Sequence, residues 1–383
     1  MSEPLDFGFD DEIASMRDQA RKLLDDRGTP TRLRALVARD HEVYDRGEPS
    51  GWDREAWSKM VELGFPSLPV PESAGGLGGS TVGITAIVEQ LGAHAFPSPL
   101  IASASSAFVL RQVEGPASSA ALEKIANGTP FALGCFDADG ELDVSRSNLV
   151  ATKSGDGVTL EGSVAFVQDG GKAEAFVVVA RGDGGPVIAV VERGANGLTV
   201  SADRIVDLTR DQVRLSFASV TVPASAIVAT GEAARAAIER ATPALITLVA
   251  ADLVGISEWQ LRTTVEYAKV REQFGKAIGS FQAVKHPLVD MMIGIDQARS
   301  LVYAAASAFD HTPERAELLA RMAKAKASDV GRYCSNRSVQ LHGGIGFTWE
   351  CDVHLFFKRS EHDQVLFGDG ARQRARIATL LAG

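Results

Sequence analysis

Cysteine is scarce in this 383-residue sequence, and its three copies, Cys135, Cys334 and Cys351, form no C-x-x-C pair. That excludes a disulfide framework and a thiolate metal cluster, and reads as three small buried hydrophobes. No uninterrupted apolar run approaches the roughly 18 residues of a membrane span, so no spanning segment is expected. Basic residues are outnumbered, 39 against 49 acidic ones, for a formal net charge of -10. A field of that sign repels phosphate backbones, and nucleic acid is not an expected partner. The N-terminus, MSEPLDFGFDDE, lacks the basic and then apolar regions of a secretory signal, which gives a cytoplasmic expectation. Repeats with a period of about 20 to 50 residues are absent, as are low-complexity tracts and any G-x-G-x-x-G that follows a strand.

The residues that are present arrange themselves in three stretches. From Asp10 to about Gln112 apolar residues recur at helical spacing, as in Ile13, Met16, Ala20, Leu23 and Leu24. The segment LGFPSLPVPESAGGLGGS, residues 63–80, interrupts them with three prolines and five glycines and reads as a loop of fixed shape. Between about Pro130 and Thr230 the pattern changes to β-branched runs such as GVTLEG, AFVVVA, PVIAVVE and VRLSFASVTV. GDG at 155–157 and GDGG at 182–185 are hairpin signals between them. Helical spacing then returns over roughly 232–270, 281–309, 313–340 and 371–382, with the GGIGF break at 343–347. The resulting expectation is an α+β fold: an N-terminal helical domain (1–125), a middle β-sheet or barrel domain (126–230) and a C-terminal four-helix-bundle domain (231–383). Segregated runs of helix and strand disfavour a Rossmann sheet.

Two segments could carry chemistry. EYAKVREQFGKAIGSFQAVKHPLVDMM, residues 266–292, sets Arg271 at a helix end beside a glycine turn and a new helix start, a combination that holds phosphate; alone, Arg271 also reads as a surface ion pair. VQLHGGIGFTWE, residues 339–350, has paired glycines that admit a ligand close to the backbone and Gln340 as donor and acceptor; alone, it also reads as a helix cap and turn.

Taken together with the proline-glycine loop and the β stretch, these segments resemble the acyl-CoA dehydrogenase family nearly end to end. The resemblance implies a flavoenzyme, a homo- or hetero-tetramer, in which FAD lies across a subunit interface and the Cα–Cβ bond of an acyl-CoA is oxidised. An electron-transferring flavoprotein is the implied acceptor, and degradation of fatty acids or sterol side chains the implied setting. By the same resemblance, Arg271, Phe274, Gln282, Gln340, Leu341, His342, Gly343 and Gly344 would hold the pyrophosphate and adenosine of a neighbouring subunit's FAD. No metal is implied.

The half of the site that a subunit builds for its own flavin departs from the family. The T-E-P-x-x-G-S-D loop falls on Phe136, Asp137, Ala138 and onward to Leu142 and Asp143, and W-I-T-N becomes Phe166, Val167, Gln168 and Asp169. Phe136, Phe166 and Gln168 are the weaker candidates for contacts to an own flavin. The usual base, the Glu of Y-E-G-T, is replaced by Phe367, and the alternative base position reads Leu245, followed by Ile246. A phenyl ring cannot accept a proton. Asp369, two residues on, and Glu239 are the remaining acids; Asp369 also reads as the N-cap of the last helix. Three readings follow: a subunit that lends FAD-binding residues to a catalytic partner, a self-sufficient dehydrogenase with a relocated base, and a relative that binds a CoA thioester or runs other flavin chemistry.

Overall fold

The computed structural model describes residues 7–37, 51–137 and 139–382. Ala138, one position of the altered loop, lies outside them.

The first stretch contains helices α1 (Asp11–Arg27), α2 (Pro30–Val37), α3 (Arg54–Glu62), α4 (Thr81–Ala93), α5 (Leu100–Leu110) and α6 (Pro116–Ala126). Their starts follow capping chemistry: the side chains of Asp10, Asp53 and Ser80 accept from Ile13, Ala56 and Gly83 amides at the heads of α1, α3 and α4. The 63–80 segment is held by its own backbone, with Leu77 N donating to Ser67 O, Gly78 N to Val70 O and Gly79 N to Leu68 O. Apolar residues of α3, α4 and α5 (Trp57, Met60, Ile84, Ile87, Leu100, Phe108) form one continuous core with the later helices.

Strands β1 (Phe131–Gly134), β2 (Leu149–Ser154), β3 (Gly157–Gln168), β4 (Ala175–Gly182), β5 (Gly185–Glu192), β6 (Leu198–Ala202), β7 (Gln212–Val222) and β8 (Ile227–Thr230) form one sheet. Its order is β6-β7-β3-β2-β4-β5-β8, with β1 also on β4. Both hairpin signals are used: Ser154 pairs with Gly157 and Gly182 with Gly185 across the turns. β1 and β2 lie parallel to β4; the other pairs are antiparallel. β4 is buried from Ala175 to Ala180, which explains its unbroken apolar run.

The last stretch holds α7 (Gly231–Val270), a two-residue hairpin of β9 (Glu272–Gln273) and β10 (Lys276–Ala277), α8 (Gln282–His311), α9 (Pro313–His342), α10 (Val353–Val365) and α11 (Gly370–Ala382). Helices α7, α8 and α9 pack on one another, α4 packs on α7, and α10 and α11 pack on α9. The α4–α7 crossing depends on two glycines: a Cβ at Gly92 would lie 2.2 Å from the Asp252 carbonyl oxygen, and one at Gly255 2.0 Å from that of Glu89.

Two features depart from the sequence expectations. Helix α10 stands where GGIGF was expected to lead straight to a short terminal helix; its charged run, KRSEHD, masks the apolar face of Val353, Leu355 and Phe356. And α7 does contain an 18-residue window, mean hydropathy 1.4, apolar enough by length and composition to cross a membrane, although 89% of that window is buried inside the protein. Interspersed Thr, Pro, Asp and Ser break its apolar run in the sequence. The helix is hydrophobic all round because it is the central element of the core.

Candidate functional site

Two regions of the structure draw the candidate residues together. The first is an exposed corner. Arg271 lies just beyond α7, exposed and without an ion pair among the described residues, its amide bonded to Tyr267 O. Phe274 follows in a left-handed conformation (φ 55°), 91% exposed, with its ring 6.0 Å edge-on to Phe281. Gln282 opens α8 and Gln340 stands near the end of α9, both exposed. Leu341 is half-buried, while Gly343 (φ 65°) and Gly344 are exposed with open space where a Cβ would stand. The segments meet through Tyr267 and His342, whose rings stack at 4.4 Å, with Tyr267 Oη donating to His342 O at 3.4 Å. His342 therefore differs from its neighbours: it is buried, its Nδ1 bonds Ser338 O at 2.8 Å, and its ring fastens the corner instead of facing outward. An unpaired cation, two amides and two bare glycines on one surface suit a phosphate-bearing ligand.

The second region is a cleft of about 470 Å³ between the sheet and α10, walled by Phe136, Phe166, Gln212, His362, Phe367, Asp369 and Arg372 among others. Phe367 and Arg372 also line a second groove of about 560 Å³ with Ile246, Glu239 and Glu141. Phe367 thus stands at the junction, its ring 5.0 Å from that of Phe136. Phe166 lies at the far end of β3 in a left-handed conformation (φ 59°). Gln168, two residues on, belongs to a closed chain of hydrogen bonds. Its Nε2 donates to Gln212 Oε1 at 2.8 Å, Gln212 Nε2 donates to Asp203 Oδ2 at 2.9 Å, and His362 Nε2 bonds Gln168 Oε1 at 2.7 Å. Burial pushes the His362 imidazole down to about 4, so the ring is neutral and Nε2 is the donor. Gln168, Gln212 and His362 are thus engaged with one another and with Asp203, and Arg372 on the same wall is tied to Glu141.

The pH consequence has a definite sign. A histidine whose folded pKa lies below its unfolded value of about 6.5 loses stabilisation as pH falls from there toward 4. Thermal unfolding of the native chain should therefore drop more steeply over that window than that of His362→Gln, which keeps a neutral donor. Superposed pH profiles of the two would refute a neutral folded His362.

Behind His362 is a buried charge network that sequence reasoning missed. Lys172 Nζ donates to Asp169 Oδ1 at 2.8 Å and to Asp211 Oδ2 at 2.5 Å. Arg210 reaches Asp169, Asp252 and Asp363 at 3.3, 2.9 and 3.2 Å. Arg359 grips both carboxylate oxygens of Asp252 at 2.9 and 3.0 Å. Burial pushes Asp252 up, but Arg359 and Arg210 outweigh it and hold the carboxyl well below the usual range. Asp363 is raised well above its usual value, because burial and the Asp252 charge outweigh the Arg210 guanidinium beside it. The network ties the sheet to α7 and α10 and fixes the wall that His362 and Gln168 form.

The acid positions fall out as follows. Leu245 is 1% exposed in the core of α7, and Ile246 beside it lines the 560 Å³ groove. Asp369 lines the cleft, but its Oδ1 accepts from Arg372 N at 2.9 Å, capping α11. Glu239 lines the groove and is exposed. Asp139 and Glu141 are paired with Arg146 and Arg372. No unengaged, buried carboxylate faces the junction among the described residues, so the cleft lacks a tuned base.

The comparisons with known proteins agree with the architecture. Residues 10–125 match the N-terminal domain of acyl-CoA dehydrogenases and residues 216–382 their C-terminal domain. The Mycobacterium tuberculosis acyl-CoA dehydrogenase FadE34 is 31% identical over 346 residues, covering 90% of this chain, which spans only 44% of FadE34's length. The acyl-CoA dehydrogenase IpdE2 of the same organism is 30% identical over 351 residues, 91% of each chain. Among solved structures, the ChsE4-ChsE5 complex from M. tuberculosis superposes with a TM-score of 0.86 at 26% identity, over 98% of this chain and 99% of that one. With both family domains matched in order and a 30% identical relative aligned over nine-tenths of its length, the chain belongs to the acyl-CoA dehydrogenase family.

Proposed function

We propose that this chain is the non-catalytic subunit of a heteromeric acyl-CoA dehydrogenase, lending Arg271, Gln340, Gly343 and Gly344 to the FAD of a partner that carries the base. The observation that carries the reading is the contrast between its two half-sites. The exposed corner fits a dinucleotide's phosphates: Arg271 is unpaired, and the backbone at 343–344 is bare. The cleft suits a flavin ring poorly, because Phe367 stands against Phe136 at 5.0 Å and Gln168, Gln212 and His362 are engaged in one chain of hydrogen bonds that ends on Asp203. The likeness to a two-component complex supports the same assignment.

In the assembled enzyme FAD supplies the acceptor for the hydride that leaves the β carbon. This chain's part is to fix the cofactor's phosphates with a charge-assisted contact from Arg271 and with close backbone approach at Gly343 and Gly344. The α proton goes to the partner's carboxylate, and an electron-transferring flavoprotein is the proposed reoxidant.

The test is the FAD-to-chain ratio of the protein purified alone and after co-expression with a family member that has a Glu at the base position. The lone chain should be colourless; the pair should be yellow and bleach on adding an acyl-CoA without oxygen. A lone chain that holds FAD and bleaches would sink the proposal and turn attention to Asp369, which with Asp139 lines the cleft.

A further inference from the structure

The turn that carries Phe367 is unusual in its backbone. Phe367 and Gly368 both have positive φ, 57° and 91°. Glycine adopts this freely, but a phenylalanine does so only where its surroundings impose it. Two side chains from different helices reach the turn. Lys324 of α9 is fully buried, and its Nζ donates to Gln364 O at 2.8 Å, Gly368 O at 3.1 Å and Ser328 Oγ at 3.1 Å. Gln373 of α11, 1% exposed, donates through Nε2 to the carbonyls of Phe367 and Gly368, and its Oε1 accepts from Arg321 at 3.1 Å. Burial pushes Lys324 down to about 7, and its Nζ has three acceptors, as many as the N–H groups of its charged form.

The clasped turn closes a space. Behind the Phe136–Phe367 pair is a small, mostly apolar chamber of about 30 Å³, lined by Ile101, Ala102, Leu133, Cys135 and Val249, with Ser105, Gln168 and Arg210 as its polar members. No acyl chain enters it while the two rings stand together.

We infer that Lys324 is a positioning residue: with Gln373 it clasps the 366–368 turn so that Phe367 plugs the passage from the cleft into the apolar chamber. The plug separates the cleft from the chamber, and Lys324 is the part that sequence position alone would assign to the surface of an amphipathic helix. The inference concerns the chain's own cleft and stands whichever subunit supplies the base.

Cys135, 6% exposed on the chamber wall, is a built-in reporter, and Cys334, 0% exposed among the bundle helices, is a control for general loosening. In full-length protein carrying Cys351→Ser, N-ethylmaleimide labelling at each cysteine is followed by peptide mass spectrometry. Lys324→Met should accelerate labelling of Cys135 by about tenfold or more, the change expected for losing a set of buried hydrogen bonds. Cys334 should stay slow. Phe367→Gly, which removes the plug and relieves the turn, should accelerate Cys135 at least as much. Gln373→Ala, which disturbs no buried charge, should give an intermediate rate and serves if Lys324→Met does not fold. Cys135 labelling unchanged in Lys324→Met and Gln373→Ala, or acceleration at Cys334 equal to that at Cys135, would overturn the clasp. An unchanged rate in Phe367→Gly would overturn the plug.

Discussion

Arg359→Met should destabilise the chain by about 3–5 kcal/mol, the range found when one partner of a buried ion pair is removed. Arg359 is 1% exposed and Asp252 0%, so solvent cannot take over the lost contact. The Asp252 carboxylate would retain only Arg210 as a cation, and Asp363 beside it is already raised well above its usual value. The cost arises from the stranded charge and not from lost packing, since methionine fills much of the arginine's volume. A double variant, Asp252→Asn with Arg359→Met, should therefore recover a large part of the loss. Denaturant unfolding measures both; a single-variant loss under about 1 kcal/mol, the scale of an exposed pair, would show that the network is wet.

In the proposed heteromer, Arg271→Ala should remove most of the FAD while leaving the chain's own unfolding unchanged. Truncating one member of a desolvated charged contact costs about 2–5 kcal/mol, which is roughly 30-fold to several-thousand-fold in affinity. Arg271 is exposed and its side chain makes no ion pair among the described residues, so its truncation should cost the subunit's own fold little. Arg271→Lys should restore only part of the binding, because an ammonium cannot reproduce the two-pronged contact with a phosphate. FAD occupancy measured by absorbance after gel filtration decides the matter. Full occupancy in Arg271→Ala would mean that the exposed corner does not serve the partner's cofactor.

The two half-sites were unequally legible in the sequence, for a physical reason. The corner is built from contiguous motifs: Arg271, Phe274 and Gln282 span one turn between helices, and Gln340 to Gly344 span another, so residue type and local spacing already describe it. Even there His342 misled, since its position in the motif does not tell that its ring packs on Tyr267. The cleft is built from residues far apart in the chain. Gln168 meets His362 across 194 positions, and Glu141 meets Arg372 across 231. Substitutions at Phe136, Phe166 and Phe367 could be read one at a time; that they converge on one cleft, beside the Gln168–His362 hydrogen bond, could not.

The sequence by itself determined the kind and order of the elements, helix then strand then helix, because apolar periodicity and turn residues act over a few positions. It also determined that a proton acceptor is missing at 367, because a phenyl ring has none in any fold. Only the tertiary structure decided which charges are buried. FFKRSEHDQ reads as a solvated helix face, yet Arg359 and Asp363 within it are 1% and 0% exposed, paired with partners 107 and 153 positions away. A charge shows in the sequence where it stands but not what faces it, and in a protein interior the facing group sets its ionisation, its worth to stability and the shape of the cleft beside it.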